Sequence, residues 1–215
     1  MTASIITSNL ESSFEVHRRF VASCIPELIR AADALVSAYK AGHKAFFFGN
    51  GGSAADAQHL AAEFVGRYLH DRKPLPAIAL NVNTSALTAI GNDYGYEEVF
   101  ARQLEALAVG GDIAVGLSTS GASANVVHAI RRARQLGLFT IAFTGASGGA
   151  LKGLVHALIA VPSEQTPRIQ ECHILAGHAL CEAVESAIMT QDTALEHDVQ
   201  PVASVARTEE TASQR

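Results

Sequence analysis

The sequence predicts an α/β protein, a three-layer α/β/α sandwich built on a five-stranded parallel sheet, with long helices at its amino and carboxyl ends. Three observations carry this. Five short apolar runs lack the in-out alternation of a half-exposed strand, as expected of strands buried on both faces. Between them lie stretches with apolar residues at helical spacing, so that strand and helix alternate about every 25 to 35 residues, the pattern of βαβ units. Glycine- and hydroxyl-rich junctions follow the first and third runs, where ligands bind in open α/β sheets.

Taken in order, the residues before about Ser8 are polar and unpatterned and predict a loose terminus. From residue 10 to about 40, Phe14, Phe20, Val21, Ile25, Leu28, Ile29, Ala32, Leu35 and Val36 recur at helical spacing around Pro26, predicting one kinked helix or two abutting ones that stop near Gly42. Residues 44–49 form the first strand, and a helix follows from Ser53 to about Arg67. After Pro74 and Pro76 comes the strand 77–80, then a short helix over 84–90, a turn over 91–96 and a helix over 97–108. The third strand, 112–117, leads through 118–125 into a helix that ends near Leu136. Residues 139–143 and 157–161 complete the sheet. Thr166 as N-cap and Pro167 at the first helical position open a last helix reaching about Met189. One domain over residues 1–190 and a polar tail over 191–215, read as disordered, account for the chain.

Composition narrows the function. Of the 215 residues 48% are apolar and 17% charged, more apolar surface than a small monomer needs, which predicts a homo-oligomer. The net charge of −5, without a run of lysine or arginine, argues against nucleic acid as a partner. No apolar stretch approaches the roughly 18 residues of a membrane span and no secretory leader is legible, so a cytoplasmic protein is expected, with no membrane partner. Cys24, Cys172 and Cys181 form no C-x-x-C and read as reduced, mostly buried thiols.

The chain is organised around Gly49-Asn50-Gly51-Gly52-Ser53 and the helix behind it. Glycines let backbone approach a ligand, and the helix start offers free amides and the Ser53 hydroxyl, so the guest is oxygen-rich and anionic. His59 and Glu63, four residues apart, share a helix face. Such a pair is commonly a solvated surface pair, but behind a glycine loop it can meet a metal or a substrate carbon. Gly49-x-Gly51-x-x-Ala54 loosely matches a dinucleotide fingerprint, yet the next strand ends at Asn81 and not at the acid a ribose requires, so no nucleotide cofactor is expected. Ser118, Thr119, Ser120 and Ser123 surround Gly121 at a strand-to-helix junction. A helix N-cap employs one side-chain oxygen, whereas four hydroxyls suit a phosphate monoester. Gln170 and His178 can line one broad face of the last helix, and His173, on another side, reads as a core histidine.

These motifs together resemble the phosphoheptose isomerase (sedoheptulose 7-phosphate isomerase) family of the sugar isomerase (SIS) domain superfamily, over residues 10–190. The resemblance rests on Gly49-Asn50-Gly51-Gly52-Ser53, His59-x-x-x-Glu63, Ser118-Thr119-Ser120-Gly121-x-Ser123 and Arg168-Ile169-Gln170-Glu171 followed by His178. It implies a flavodoxin-like SIS fold and conversion of sedoheptulose 7-phosphate to D-glycero-D-manno-heptose 7-phosphate, an early step toward the heptose of bacterial lipopolysaccharide. Glu63 and His178 match the family's acid/base pair. Asn50, Gly51, Gly52, Asn92, Asp93, Ser118, Thr119, Ser120, Ser123 and Gln170 match its substrate contacts, with Arg67 as a supporting residue. His59, Glu63, Gln170 and His178 match the ligands of a zinc ion found in some members, and the family is typically a homotetramer with active sites at subunit boundaries. The DnaA initiator-associating proteins share the fold and a Ser-Ala-Ala run like Ser53-Ala54-Ala55 but bind without catalysing. They replace the acid/base pair that this chain keeps.

Overall fold

A computed structural model describes the backbone of residues 1–198 and the side chains of residues 1–190. Strands β1 (Ala45–Gly49), β2 (Ala77–Ala79), β3 (Ile113–Leu117), β4 (Phe139–Thr144) and β5 (Ala157–Ala160) form one parallel sheet in the order β2-β1-β3-β4-β5. Every residue of β1 and β3 is buried, which is why these segments read as unbroken apolar runs. Helices α1 (Thr2–Lys40), α2 (Gly52–Val65), α3 (Thr84–Tyr94), α4 (Ala101–Leu107), α5 (Ala124–Gln135) and α6 (Thr166–Asp198) cover the faces.

Alternation along the strands builds two cores. Phe47, Val115, Ile141 and Ile159 pack with α1, α2 and α6, while Phe46, Phe48, Ala114 and Ala142 pack on the other face with Phe100, Leu104 and α5. Burying a phenylalanine contributes about 1.5–3 kcal/mol. A one-residue slip of β1 would exchange the faces of all three, so its register against Ile113 to Leu117 is strongly specified. At the amino ends of β1 and β3, the fully buried Asp112 accepts from Lys44 N (3.0 Å) and Val109 N (2.9 Å) and pairs with Lys44 Nζ at 2.9 Å. Strand order reverses between β1 and β3, so the loops leaving their carboxyl ends diverge to opposite faces and open the crevice that holds the site.

Several expectations are corrected. The first residues are not loose: α1 begins at Thr2 and runs unbroken through Pro26, although the proline removes one amide from the ladder. Helix α2 stops at Val65 and leaves Arg67 in the following loop. The turn expected over 91–96 is helix as far as Tyr94, and the helix expected over 97–108 is a 3₁₀ turn (Tyr96–Glu98) followed by α4. Helix α6 continues to Asp198, into the segment read as a disordered tail, and residues 199–215 lie outside the described residues.

Candidate active site

The glycine turn after β1 is built tightly enough to exclude side chains. A Cβ on Gly49 would lie 2.8 Å from both Leu117 O and Ser53 O, and Ser53 is itself 3% exposed within the first turn of α2. Its hydroxyl therefore belongs to the floor of the loop. Gly51, at φ 56°, caps α2 without a side chain, and its carbonyl accepts from Ala54 N at 3.1 Å. The side chains of Asn50 and Asn125 form a reciprocal pair: Asn50 Nδ2 donates to Asn125 Oδ1 at 2.8 Å and Asn125 Nδ2 to Asn50 Oδ1 at 2.9 Å. Tyr96 Oη donates to Asn50 Oδ1 at 3.4 Å. This pair joins the turn after β1 to the start of α5. Sequence reasoning passed over Asn125, whose one signal was its place at the end of the serine-rich junction.

Across the crevice, Ser118 Oγ and Ser123 Oγ lie 2.9 Å apart, and Ser120 Oγ accepts from Ala122 N at 3.2 Å. Ser123 is the N-cap of α5, yet its side chain makes no capping hydrogen bond. Asn125 Oδ1 instead accepts from Val126 N in the first turn, at 2.9 Å. A serine placed only to cap would give its oxygen to the helix amides, so the paired Ser118 and Ser123 hydroxyls are better suited to an anion. Thr119 and Ser120 also line a cavity of about 210 Å³ with Ser147, Ser163, Glu164 and Ile169.

The third part is formed by α2 and α6. His59 Nε2 lies 2.9 Å from His178 Nε2 and 3.3 Å from Glu63 Oε1, and the three ligating atoms all fall within 4.8 Å of one another. The helices approach this closely because α6 presents Gly177 to Leu60: a Cβ there would sit 2.4 Å from Leu60 Cδ2. About two turns toward the start of α6, the Gln170 carboxamide packs over Gly52, where a Cβ would lie 2.5 Å from its Nε2. Both contacts use the missing side chain to bring helix surfaces together. The Tyr68 ring lies 5.6 Å from that of His178. Burial, the Cys181 thiol and the carboxylates of Glu182, Glu63 and Glu185 push the Tyr68 phenol above its ordinary value.

The donor set suits zinc. Zn–N and Zn–O bonds of about 2.0–2.2 Å in a tetrahedral site place ligand atoms roughly 3.3–3.6 Å apart. The His59–Glu63 spacing of 3.3 Å falls there, and the His59–His178 spacing of 2.9 Å would open by about half an ångström to admit the ion. Two imidazole nitrogens facing each other at 2.9 Å also need either a proton or a cation between them.

Other sequence-derived residues fall outside these contacts. Asn92 Nδ2 donates to Asp93 Oδ1 at 2.8 Å on the exposed part of α3, and Arg67 Nη1 donates to Leu69 O at 3.4 Å. Among the described residues none of the three bonds to the serine turn or the His/Glu cluster. His173 is fully buried: Nε2 lies 3.1 Å from Thr144 O, and burial pushes the imidazole down to about 4, as befits a neutral core histidine. The three cysteines are free and buried, and burial raises Cys172 to about 11 and Cys181 to about 12.

The SIS domain family model matches residues 10–145. A phosphoheptose isomerase of Aquifex aeolicus is 53% identical over 176 residues, 82% of this chain and 92% of that relative. The chain belongs to the phosphoheptose isomerase family. Solved phosphoheptose isomerase structures from Neisseria gonorrhoeae (TM-score 0.82, 39% identity, 86% of this chain and 100% of that one) and Francisella tularensis (TM-score 0.84, 36% identity, 86% and 99%) share its fold. Sugar-phosphate isomerisation is the activity that accompanies this membership, and the binding-protein alternative is not favoured.

Proposed function

We propose that this chain, as one SIS domain over residues 1–190, interconverts sedoheptulose 7-phosphate and D-glycero-D-manno-heptose 7-phosphate. The observation that carries the reading is the meeting of the Glu63 carboxylate and the His178 imidazole, from helices far apart in sequence, in a chain whose serine-rich turn supplies a hydroxyl cluster for the phosphate. Glu63 takes the proton from C1 of the open-chain ketose. The C1–C2 double bond forms as the C2 carbonyl becomes a hydroxyl. A proton then returns to C2 while the C1 hydroxyl loses its own and becomes the aldehyde, with no net oxidation. His178 serves the oxygen protons or ring opening. Ser118, Thr119, Ser120 and Ser123 hold the phosphate, and this remote anchorage aligns a flexible sugar with the base. Asn50, Gly51, Gly52 and Gln170 enclose the chain from α2 and α6. Asn92, Asp93 and Arg67 reach the sugar at a site completed across a subunit boundary.

Zinc, held by His59, Glu63, Gln170 and His178, would supply charge to polarise a carbonyl oxygen. A Glu63 carboxylate neutralised by a metal is a weaker proton acceptor, so metal occupancy bears directly on the base. The reading includes a homotetramer in the cytoplasm. Association of copies is supported by apolar residues left in solvent along α1, among them Phe14 at 69%, Ile29 at 57% and Ile25 at 49% exposure. No described helix is long and apolar enough to cross a membrane.

The test offers purified protein sedoheptulose 7-phosphate beside fructose 6-phosphate and ribulose 5-phosphate in deuterated water, with and without chelation and with metal content measured. Deuterium entering the seven-carbon sugar selectively is the expected result. No exchange in any sugar, with folded protein and zinc supplied, would return the choice to a non-catalytic SIS binding protein.

A further inference from the structure

Behind the acid/base cluster lies an ion pair that touches neither ring nor carboxylate yet bonds to the supports of both. The side chains of Arg72 and Glu185 are 3% and 1% exposed, and Arg72 Nε lies 3.1 Å from Glu185 Oε1. Arg72 Nη2 donates to Glu63 O at 2.9 Å, and Nη1 donates to Phe64 O at 2.9 Å and Lys73 O at 3.1 Å. Helix α2 ends at Val65, so the carbonyls of Glu63 and Phe64 are among the last four, which have no amide partner inside the helix. The planar fork of arginine serves both at once. Glu185 Oε1 accepts from Tyr68 N at 3.0 Å, and Oε2 accepts from Leu69 N at 2.8 Å and His70 N at 2.9 Å. It thereby fixes the short loop whose Tyr68 ring lies against His178. Glu185 stands seven residues after His178, about 20° away around an ideal helix, so the two share one stripe of α6.

A buried ion pair is a poor device for stability, because desolvation offsets its attraction and a well-packed apolar pair often does as well. What this pair does have is directed bonds on either side, from Arg72 to the end of α2 and from the Tyr68 loop to Glu185 on α6, joined by the charge contact between them. We propose that Arg72 and Glu185 are positioning residues of the isomerisation site, holding the Glu63 backbone and the His178 ring in register with one another. The proposal rests on the acid/base reading given above. Displacing a reacting group by about 1 Å can cost as much as 10² in rate, and nothing in the pair touches the serine turn.

Two kinds of variant test this. Glu185→Gln keeps shape but cannot accept at both oxygens, and the paired replacement Arg72→Met with Glu185→Leu removes the geometry while keeping the region packed. Each is expected to lower kcat about 10- to 100-fold with KM for the sugar phosphate changed less than about 3-fold. Arg72→Lys, which keeps the charge without the fork, should lose nearly as much. Added to Glu63→Gln, the Glu185→Gln change should cost little further, since the group it positions is already gone. Hydrogen exchange at the amides of Tyr68, Leu69 and His70 should quicken at least about tenfold, whatever the activity. Normal kcat in the folded Met/Leu variant, or full rescue by Arg72→Lys, would overturn the proposal. So would equal losses with and without Glu63, which mark a general loss of folded enzyme. An inactive wild type, or wild-type turnover unchanged by Glu63→Gln, instead overturns the acid/base reading itself.

Discussion

The serine turn and the His/Glu cluster, which the proposed function joins in one site, are held by different means. The serine turn is contiguous, and its conformation is set by nearby backbone: Gly121 N donates to Ser118 O at 2.9 Å, Gly145 N to Thr119 O at 2.9 Å and Leu151 N to Gly121 O at 3.2 Å. The cluster joins side chains 119 residues apart, and its geometry depends on the packing of α2 against α6 at Gly177. On the proposed reading, anchorage of the phosphate rests on loop backbone and proton transfer rests on a helix pair. The two should separate kinetically, the loop governing KM and the helix pair governing kcat.

The strongest way to break this comparison is at the cluster. Glu63→Gln and His178→Ala are each expected to lower kcat by about 10² to 10⁴, the usual worth of acid–base groups, while KM moves only a few-fold. Steady-state kinetics on both variants decides it. Near-normal turnover in either one removes that residue from the proton-transfer pair.

At the serine turn the expected effect is smaller and of the other kind. Ser118→Ala and Ser123→Ala each delete a hydrogen bond to a charged phosphate, worth about 1.5–3 kcal/mol, or roughly 13- to 160-fold. That loss should appear in KM, with kcat within about 3-fold. If instead kcat collapses while KM holds, the turn is coupled to the chemistry and the division between the two regions fails.

The same division explains what could be read from the sequence. The strands, the glycine turn, the serine turn and the Thr166-Pro167 start of α6 are local signals, and each appears within a residue of its expected place, α6 opening at Thr166 itself and not at Pro167. Residues 91–96 carry turn residues, but Gly91 packs near Tyr96 and Val99, and the helix continues through Asn92 and Asp93 against their propensity. Arg72 and Glu185 were invisible for a different reason: a charged residue is ordinarily at the surface, and only the fold shows that these two are buried on each other. Gly177 likewise carries no periodic signal, because its role is the close approach of a helix that the sequence cannot place.

The smallest expected effect on turnover is that of Asp112, whose part is acid stability, and it sharpens the comparison when Asp112 is set beside Glu185. Burial raises the Asp112 carboxyl, but the hydrogen bonds from Val109 N, Lys44 Nζ and Lys44 N and the charge of Lys44 outweigh it and leave the group below its ordinary value. Burial likewise raises Glu185, and the amides of Tyr68, Leu69 and His70 together with Arg72 more than reverse it. A carboxyl lowered in the folded state contributes stability that is present above its unfolded value, about 3.9 for Asp and 4.3 for Glu, and is lost as pH falls through the folded value. Thermal melts from pH 7 down to pH 3 should therefore show Tm falling below about pH 4. Asp112→Asn and Glu185→Gln should each lie below wild type at neutral pH, with the gap narrowing in acid. Charged hydrogen bonds of about 1.5–3 kcal/mol correspond to roughly 3–12 °C in a chain of this size. Asp112 ties the strand ends remote from the crevice, so its variant should lose stability at near-normal kcat, whereas Glu185→Gln should lose both. Parallel melting curves across the pH range would remove these carboxyls from the acid transition, and a loss of kcat in Asp112→Asn would show that the site depends on more of the sheet than the helix pair above it.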